Sequence, residues 1–155
     1  MTKNNVTLRA VAEADLPIFY EQQLGPEATQ MAAFPSRTRE AFMAHWAKIL
    51  VNENSIIKTI LFDGHVAGNI LSWEQFDKWE IGYWLGKEFW GKGIATKALA
   101  EFLDIVKIRP LFAHVVKHNI GSQRVLQKCG FVIAGEDKFT EENGTETEEF
   151  LLKLI

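Results

Sequence analysis

The sequence predicts a mixed α/β sheet, antiparallel in its first half and joined by a parallel crossover in its second. Three observations carry that prediction. Short β-rich runs alternate with segments of helical period; the dipeptide Asp63-Gly64 lies between two such runs, where it accepts the positive φ angles of a tight hairpin; and the apolar period changes at Gly93 from that of a strand to that of a helix. A meander followed by strand, helix and strand gives one parallel pair, because a strand left through a helix is rejoined in its original direction.

Residues 6–9 read as a strand, and Asp15-Leu16-Pro17 then opens a helix to Leu24, with Pro17 tolerated in the first turn and Gly25-Pro26 ending it. A second helix begins at the cap Ser36 and carries Phe42, Trp46, Ile49 and Leu50 as one apolar stripe that should pack on the sheet. Residues 56–62 and 66–73 form the hairpin, and 79–85 adds a third strand after the polar connection 74–78. From Gly93 onward Ile94, Ala98, Leu99, Phe102, Leu103 and Val106 recur at helical spacing. Pro110 separates that helix from a strand at 111–116, which is followed by a short helix at 122–129 and a strand at 131–134. The tail, 150–155, is a last strand reached through Asn143-Gly144.

Composition sets the limits of function. With 155 residues, 47% apolar, 11 Phe and 5 Trp, and no repeat or low-complexity linker, residues 1–155 read as a single domain with a sizeable core. Cys129 is the sole cysteine, and His45, His65, His114 and His118 never fall in a ligand-like spacing with it, so neither a disulfide scaffold nor a metal site is expected. The apolar runs are too short to span a bilayer and residues 1–10 lack a signal core, which makes the cytoplasm the expected address and leaves no membrane partner. A net charge of −3 argues against a general nucleic-acid binder.

The turn from Gly86 to Thr96, between a strand and a helix, carries chemistry on its face. Such a turn presents unpaired backbone N–H groups at the positive end of a helix and so invites an anion. A P-loop needs a hydroxyl where Gly93 stands, and a dinucleotide fingerprint needs a glycine where Thr96 stands, with an acid at the end of the next strand. Both readings fail. The third pattern, [Q/R]xxGx[G/A], appears as Trp90-Gly91-Lys92-Gly93-Ile94-Ala95 and describes an acyl-CoA pyrophosphate loop.

With "LRAVAEADLP", "EIGYWLGKEFWGKGIATKAL" and "NIGSQRVLQKCGF" in that order, the sequence resembles the GNAT-family N-acetyltransferases over almost its whole length, in the Rim-type branch that acetylates ribosomal protein N-termini. Trp90 stands where the wider family often has Gln or Arg. The resemblance implies the GNAT fold, with acetyl-CoA as cosubstrate, no metal, and transfer of an acetyl group to a primary amine of a protein N-terminus or a small molecule by direct attack in a ternary complex. It implies cofactor contact for Trp84, Leu85, Trp90, Gly91, Lys92, Gly93, Ile94, Ala95, Thr96, Asn119 and Ser122. Lys92 reads equally as a phosphate contact or as a solvated charge.

Direct transfer needs a neutral amine, a base, and often an acid for the departing thiolate. The resemblance puts the base at Glu80, where Trp79 and Trp84 are expected to desolvate it; the plain alternative is a structural carboxylate at a strand start. Asn119 reads as a helix cap with Ser122 in the first turn, while the resemblance brings both to the pantetheine and the sulfur. Many members carry a tyrosine acid where this chain has Leu126, which leaves Ser122 or a water as the acid. Cys129 reads as core rather than nucleophile, and His114, on a strand expected to be buried, as packed or hydrogen-bonded. Trp46 and Phe34 belong mostly to the core but could shape the acceptor cleft. The acidic run 136–149 reads as a solvated loop, or as a device that steers cationic acceptors. The last strand could pair at a sheet edge between two copies, giving a homodimer. The competing function is a non-catalytic acyl-CoA or partner-binding module on the same fold.

Overall fold

Residues 5–25, 37–141 and 144–155 are described by a computed structural model, and among them lie seven strands and four α-helices. The elements run β1 (Val6–Arg9), α1 (Leu16–Gln22), α2 (Arg39–Val51), β2 (Ile56–Phe62), β3 (His65–Gln75), β4 (Lys78–Leu85), α3 (Ile94–Ile105), β5 (Leu111–Val116), α4 (Ile120–Lys128), β6 (Val132–Thr140) and β7 (Glu146–Leu154). They form one sheet in the order β1-β2-β3-β4-β5-β7-β6. Every neighbouring pair is antiparallel except β4 and β5. No described helix is long and apolar enough to cross a membrane.

The expected element order stands, and local chemistry accounts for it. Asp63 and Gly64 take φ of 50° and 84°, as the β2–β3 hairpin requires. Helix α3 buries Ile94, Ala98, Leu99 and Phe102, positions that share one face, against a core that includes Ile60, Ile70, Ile81, Leu111 and Leu152 from the sheet. A second cluster, Phe19, Phe42 and Trp46 with Ile57 and Val66, fastens α1 and α2 to β2 and β3.

Several expectations are corrected. Helix α1 ends at Gln22 rather than Leu24. The cap of α2 is Thr38, whose hydroxyl accepts from the Ala41 N–H at 3.2 Å, while Ser36 lies outside the described residues. Leu50 leaves the apolar stripe and is 41% exposed. Helix α4 starts at Ile120, one residue after its cap Asn119. The acidic run is not a loop: Glu136 and Asp137 belong to β6, and Glu146, Glu148 and Glu149 to β7. Lysines make this pairing tolerable, since Lys138 stands opposite Glu148 in the register and Lys117 reaches Glu136 and Glu148 at 2.9 Å each. The last strand begins at Glu146 rather than at 150 and is no sheet edge. It lies between β5 and β6, so the edge pairing imagined between two copies through it is not available.

The β4–β5 junction positions the site. Only Trp79↔Leu111 and Glu80↔Phe112 are in register, after which the two strands part and open a cleft toward their C-terminal ends. On the other side of β4, Gly68 of β3 permits an unusually close approach, because a Cβ there would meet the Trp84 carbonyl oxygen at 1.9 Å.

Candidate functional site

Strand β4 leads directly into the glycine turn. The Gly86 N–H donates to the Ala67 carbonyl at 2.9 Å, a single 3₁₀ turn covers Lys87–Phe89, and the Trp90 indole donates back to the Leu85 carbonyl at 3.1 Å. Gly91 and Gly93 take φ of 73° and 75°, the left-handed region, and open space surrounds both. Gly93 caps α3, whose first intrahelical bond runs from the Lys97 N–H to the Gly93 carbonyl. The N–H groups of Ile94, Ala95 and Thr96 precede that bond and have no acceptor within the helix. Together with the helix dipole they form a cradle fit for a diphosphate.

A cavity of about 470 Å³ runs over this turn, lined by Trp84, Leu85, Trp90, Gly91, Gly93, Ile94, Ala95 and Thr96 on one side and by Asn119 and Ser122 on the other. Every expected cofactor residue lines it except Lys92, which is exposed. The positive charges facing it are instead Arg124 and Lys128 of α4. Their separation of four residues, visible in the sequence, puts them one turn apart on one helix face.

A second cavity, about 290 Å³, occupies the cleft between β4 and β5 and is lined by Tyr83, His114, Asn119, Ser122, Leu126, Phe139 and Glu149 among others. Both cavities share Tyr83, Asn119 and Ser122. Asn119 accepts from the Ser122 N–H at 3.1 Å, so it is the helix cap the sequence suggested as well as a lining residue. Gln123 ties α4 to the end of β5 by donating to the Lys117 carbonyl at 2.8 Å.

At the junction the Tyr83 hydroxyl donates to the Ser122 hydroxyl oxygen at 3.0 Å. Burial pushes the Tyr83 phenol above its ordinary value. Sequence reasoning passed over Tyr83, although strand alternation puts it on the face opposite Glu80 and toward the helices that carry the turn. Leu126 is 3% exposed and contributes apolar wall.

Glu80, 8% exposed, does not line either cavity. Its Oε1 lies 2.9 Å from His114 Nε2, and His114 Nδ1 lies 3.2 Å from Glu149 Oε1. Trp79, expected to desolvate Glu80, falls on the other face of the strand by alternation and packs against the main core. His114 is exposed on its strand rather than buried, and it is hydrogen-bonded as anticipated. Trp46 is 5% exposed in the second cluster and lines neither cavity, while Phe34 lies outside the described residues. Burial raises the Cys129 thiol above its ordinary value, and its Sγ faces the Thr96 carbonyl at 3.7 Å, which agrees with a packing role.

The family model described as an acetyltransferase (GNAT) domain matches residues 5–132. A protein of Bacillus subtilis (strain 168) named "Putative ribosomal N-acetyltransferase YdaF" is 31% identical over 134 residues, 79% of this chain and 72% of that one. Among solved structures, spermidine N-acetyltransferase from Vibrio cholerae in complex with CoA and spermine superposes with a TM-score of 0.83 at 18% identity, covering 96% of this chain and 94% of that one. The ribosomal L7/L12 α-N-protein acetyltransferase RimL, in complex with coenzyme A, superposes with a TM-score of 0.82 at 22% identity, covering 100% of this chain and 95% of that one. These two likenesses are likenesses of fold. Taken with the family match and the glycine turn at the head of α3, they make the chain a member of the GNAT acetyltransferase family, an acetyl-CoA-dependent enzyme that transfers an acetyl group to amines.

Proposed function

We propose that residues 1–155 work as one cytoplasmic N-acetyltransferase domain in which an amine attacks acetyl-CoA directly within a ternary complex. The observation that carries this reading is the meeting of the two cavities at Tyr83, Asn119 and Ser122, which gives the donor and the acceptor separate approaches to one point. Acetyl-CoA supplies a thioester carbonyl whose leaving group is a thiolate, and thiols ordinarily titrate near 8.5. The first-turn amides of α3 and the Gly91–Gly93 backbone hold its diphosphate, and Trp84, Leu85 and Trp90 flank it.

Glu80 takes the amine's proton, directly or through an intervening group, as the nitrogen–carbon bond forms. The sulfur leaves as a thiolate; as the carbon–sulfur bond breaks, the Ser122 hydroxyl donates a hydrogen bond to it without giving up its proton, because a serine alkoxide is a far stronger base than a thiolate. The Tyr83 hydrogen bond to the Ser122 oxygen helps by occupying that oxygen and leaving the Ser122 proton to point elsewhere. The acceptor is the α-amine of a protein or peptide or a small primary amine, a class supported by the name of the Bacillus subtilis relative.

Calorimetric titration with acetyl-CoA, followed by free-thiol release over a panel of α-amino peptides, polyamines and aminoglycosides, tests the reading. Saturable binding and turnover of at least one amine are expected. Absence of binding at millimolar acetyl-CoA would overturn it, and binding without turnover across the panel would establish a non-catalytic acyl-CoA module instead.

A further inference from the structure

Three strands place one polar side chain each on a single face at the point where the sheet splits. Glu80 stands opposite Phe112 on the last rung of the β4–β5 ladder, and His114 follows two residues later on the same face of β5. On β7, Leu151 is opposite His114 and Glu149 is opposite Val116, so Glu149 is the diagonal neighbour of the imidazole. The contacts form a line, with Glu80 Oε1 2.9 Å from His114 Nε2 and His114 Nδ1 3.2 Å from Glu149 Oε1.

Exposure along this line is uneven. The Glu80 side chain is 11% exposed, that of His114 46%, and that of Glu149 19%. His114 and Glu149 line the cleft cavity, and Glu80 does not. A base must come within hydrogen-bond reach of the proton it removes, directly or through one bridging group. The carboxylate assigned as base stands behind an imidazole that faces the cleft.

Resting on the assignment of Glu80 as the base, we propose that His114 is the relay that carries the amine's proton from the cleft to Glu80. With the acceptor bound, the ring donates its Nε2 proton to the Glu80 carboxylate, the orienting role a carboxylate plays toward a histidine base, and the amine's two N–H groups donate to the Nδ1 lone pair and to Glu149 Oε1, two acceptors that need a donor between them. As the amine bonds to the acetyl carbon, its N–H bond breaks and an Nδ1–H bond forms; the Nε2–H bond breaks and the proton joins Glu80 Oε1. The ring ends neutral in its other tautomer, and the new Nδ1–H donates to Glu149. One proton leaves the amine and one arrives on Glu80, so no net charge stays on the ring. Glu149 accepts from the amine beside Nδ1 before the step and from the new Nδ1–H after it.

The test is a double-mutant cycle on the full chain, with acetyl-CoA and the panel amine that gives the highest wild-type turnover. His114→Gln is expected to lower kcat by 10²-fold or more, leave acetyl-CoA affinity within twofold, and add nothing to Glu80→Gln, so that the double variant is no slower than the slower single. With His114 half-exposed, folding is expected to survive; should His114→Gln lose its thermal transition, His114→Asn carries the same cycle. A His114 variant within twofold of wild-type kcat beside a crippled Glu80→Gln overturns the relay and leaves Glu80 as the base. Multiplying losses also overturn it, because the two groups then act separately. Glu80→Gln at wild-type kcat overturns the base assignment itself, and the relay with it.

Discussion

Two buried carboxylates, Asp15 at 2% exposure and Glu80 at 8%, lie in the same fold with opposite surroundings. Asp15 is saturated from within. It accepts from both Arg9 Nη groups at 2.7 and 2.9 Å, from the Ala12 N–H at 2.9 Å and from the Thr59 hydroxyl at 2.7 Å, knitting the entry to α1 onto β1 and β2. The Arg9 hydrogen bonds hold its carboxyl at about 2, well below its ordinary 3.8, with the Ala12 and Thr59 bonds adding to the effect against the cost of burial. Glu80 instead meets a half-exposed imidazole that opens onto a cavity. A buried acid whose donors are all built in fixes structure, whereas one joined to a cavity through a titratable ring can change protonation during a reaction.

Substitution should separate the two sites. Glu80→Gln keeps the shape of the side chain but cannot accept a proton, so kcat is expected to fall by about 10² to 10⁴-fold with acetyl-CoA affinity unchanged, and steady-state assays with calorimetry check it. Activity of that variant should recover as pH rises and the free amine becomes abundant.

Asp15→Asn should cost about 2 kcal/mol of stability by the displacement of its carboxyl from 3.8 to about 2, while the folded fraction keeps wild-type kcat. Because the folded value lies below the unfolded one, this stability is present above pH ~4 and is lost as pH falls from there toward 2. Denaturant melts at pH 7 and pH 2.5 should show the Asp15→Asn deficit shrinking at the lower pH.

Gly93→Val has open space for its side chain, but φ of 75° strains a β-branched residue and its methyl groups would occupy the phosphate approach. Acetyl-CoA affinity is expected to fall tenfold or more by calorimetry, while circular dichroism stays that of the wild type. Unchanged affinity would mean that the turn does not hold the diphosphate. The smallest effect is expected of Tyr83→Phe, which removes one hydrogen bond to Ser122, worth roughly 1 kcal/mol, and should lower kcat several-fold with KM for acetyl-CoA unaltered.

Features written in a few adjacent residues were legible beforehand. The Asp63-Gly64 turn, the Gly93 helix start and the Asn119 cap each follow from local backbone demands, and each stands where the sequence placed it. Glu136–Glu149 misled because Lys117, which reaches Glu136 and Glu148, lies outside the run, and because Lys138 within it meets Glu146 and Glu148 only across the β6–β7 register. The cleft chemistry was hidden for the same reason. Tyr83 meets Ser122 across 39 residues, through the seating of α4 beside β4, and His114 meets Glu149 across 35, through the β5–β7 register. Trp79 was misjudged as a neighbour of Glu80 because adjacency in a strand means opposite faces.

The most direct measurement sets Glu80→Gln and Asp15→Asn side by side, recording thermal midpoint and kcat for each against wild type. The account predicts a crossed pattern, with Glu80→Gln folded near the wild-type midpoint but slower by at least 10²-fold, and Asp15→Asn melting several degrees lower with kcat intact. A Glu80→Gln enzyme that turns over at the wild-type rate, whatever its midpoint, would contradict the account and make Glu80 a second structural acid.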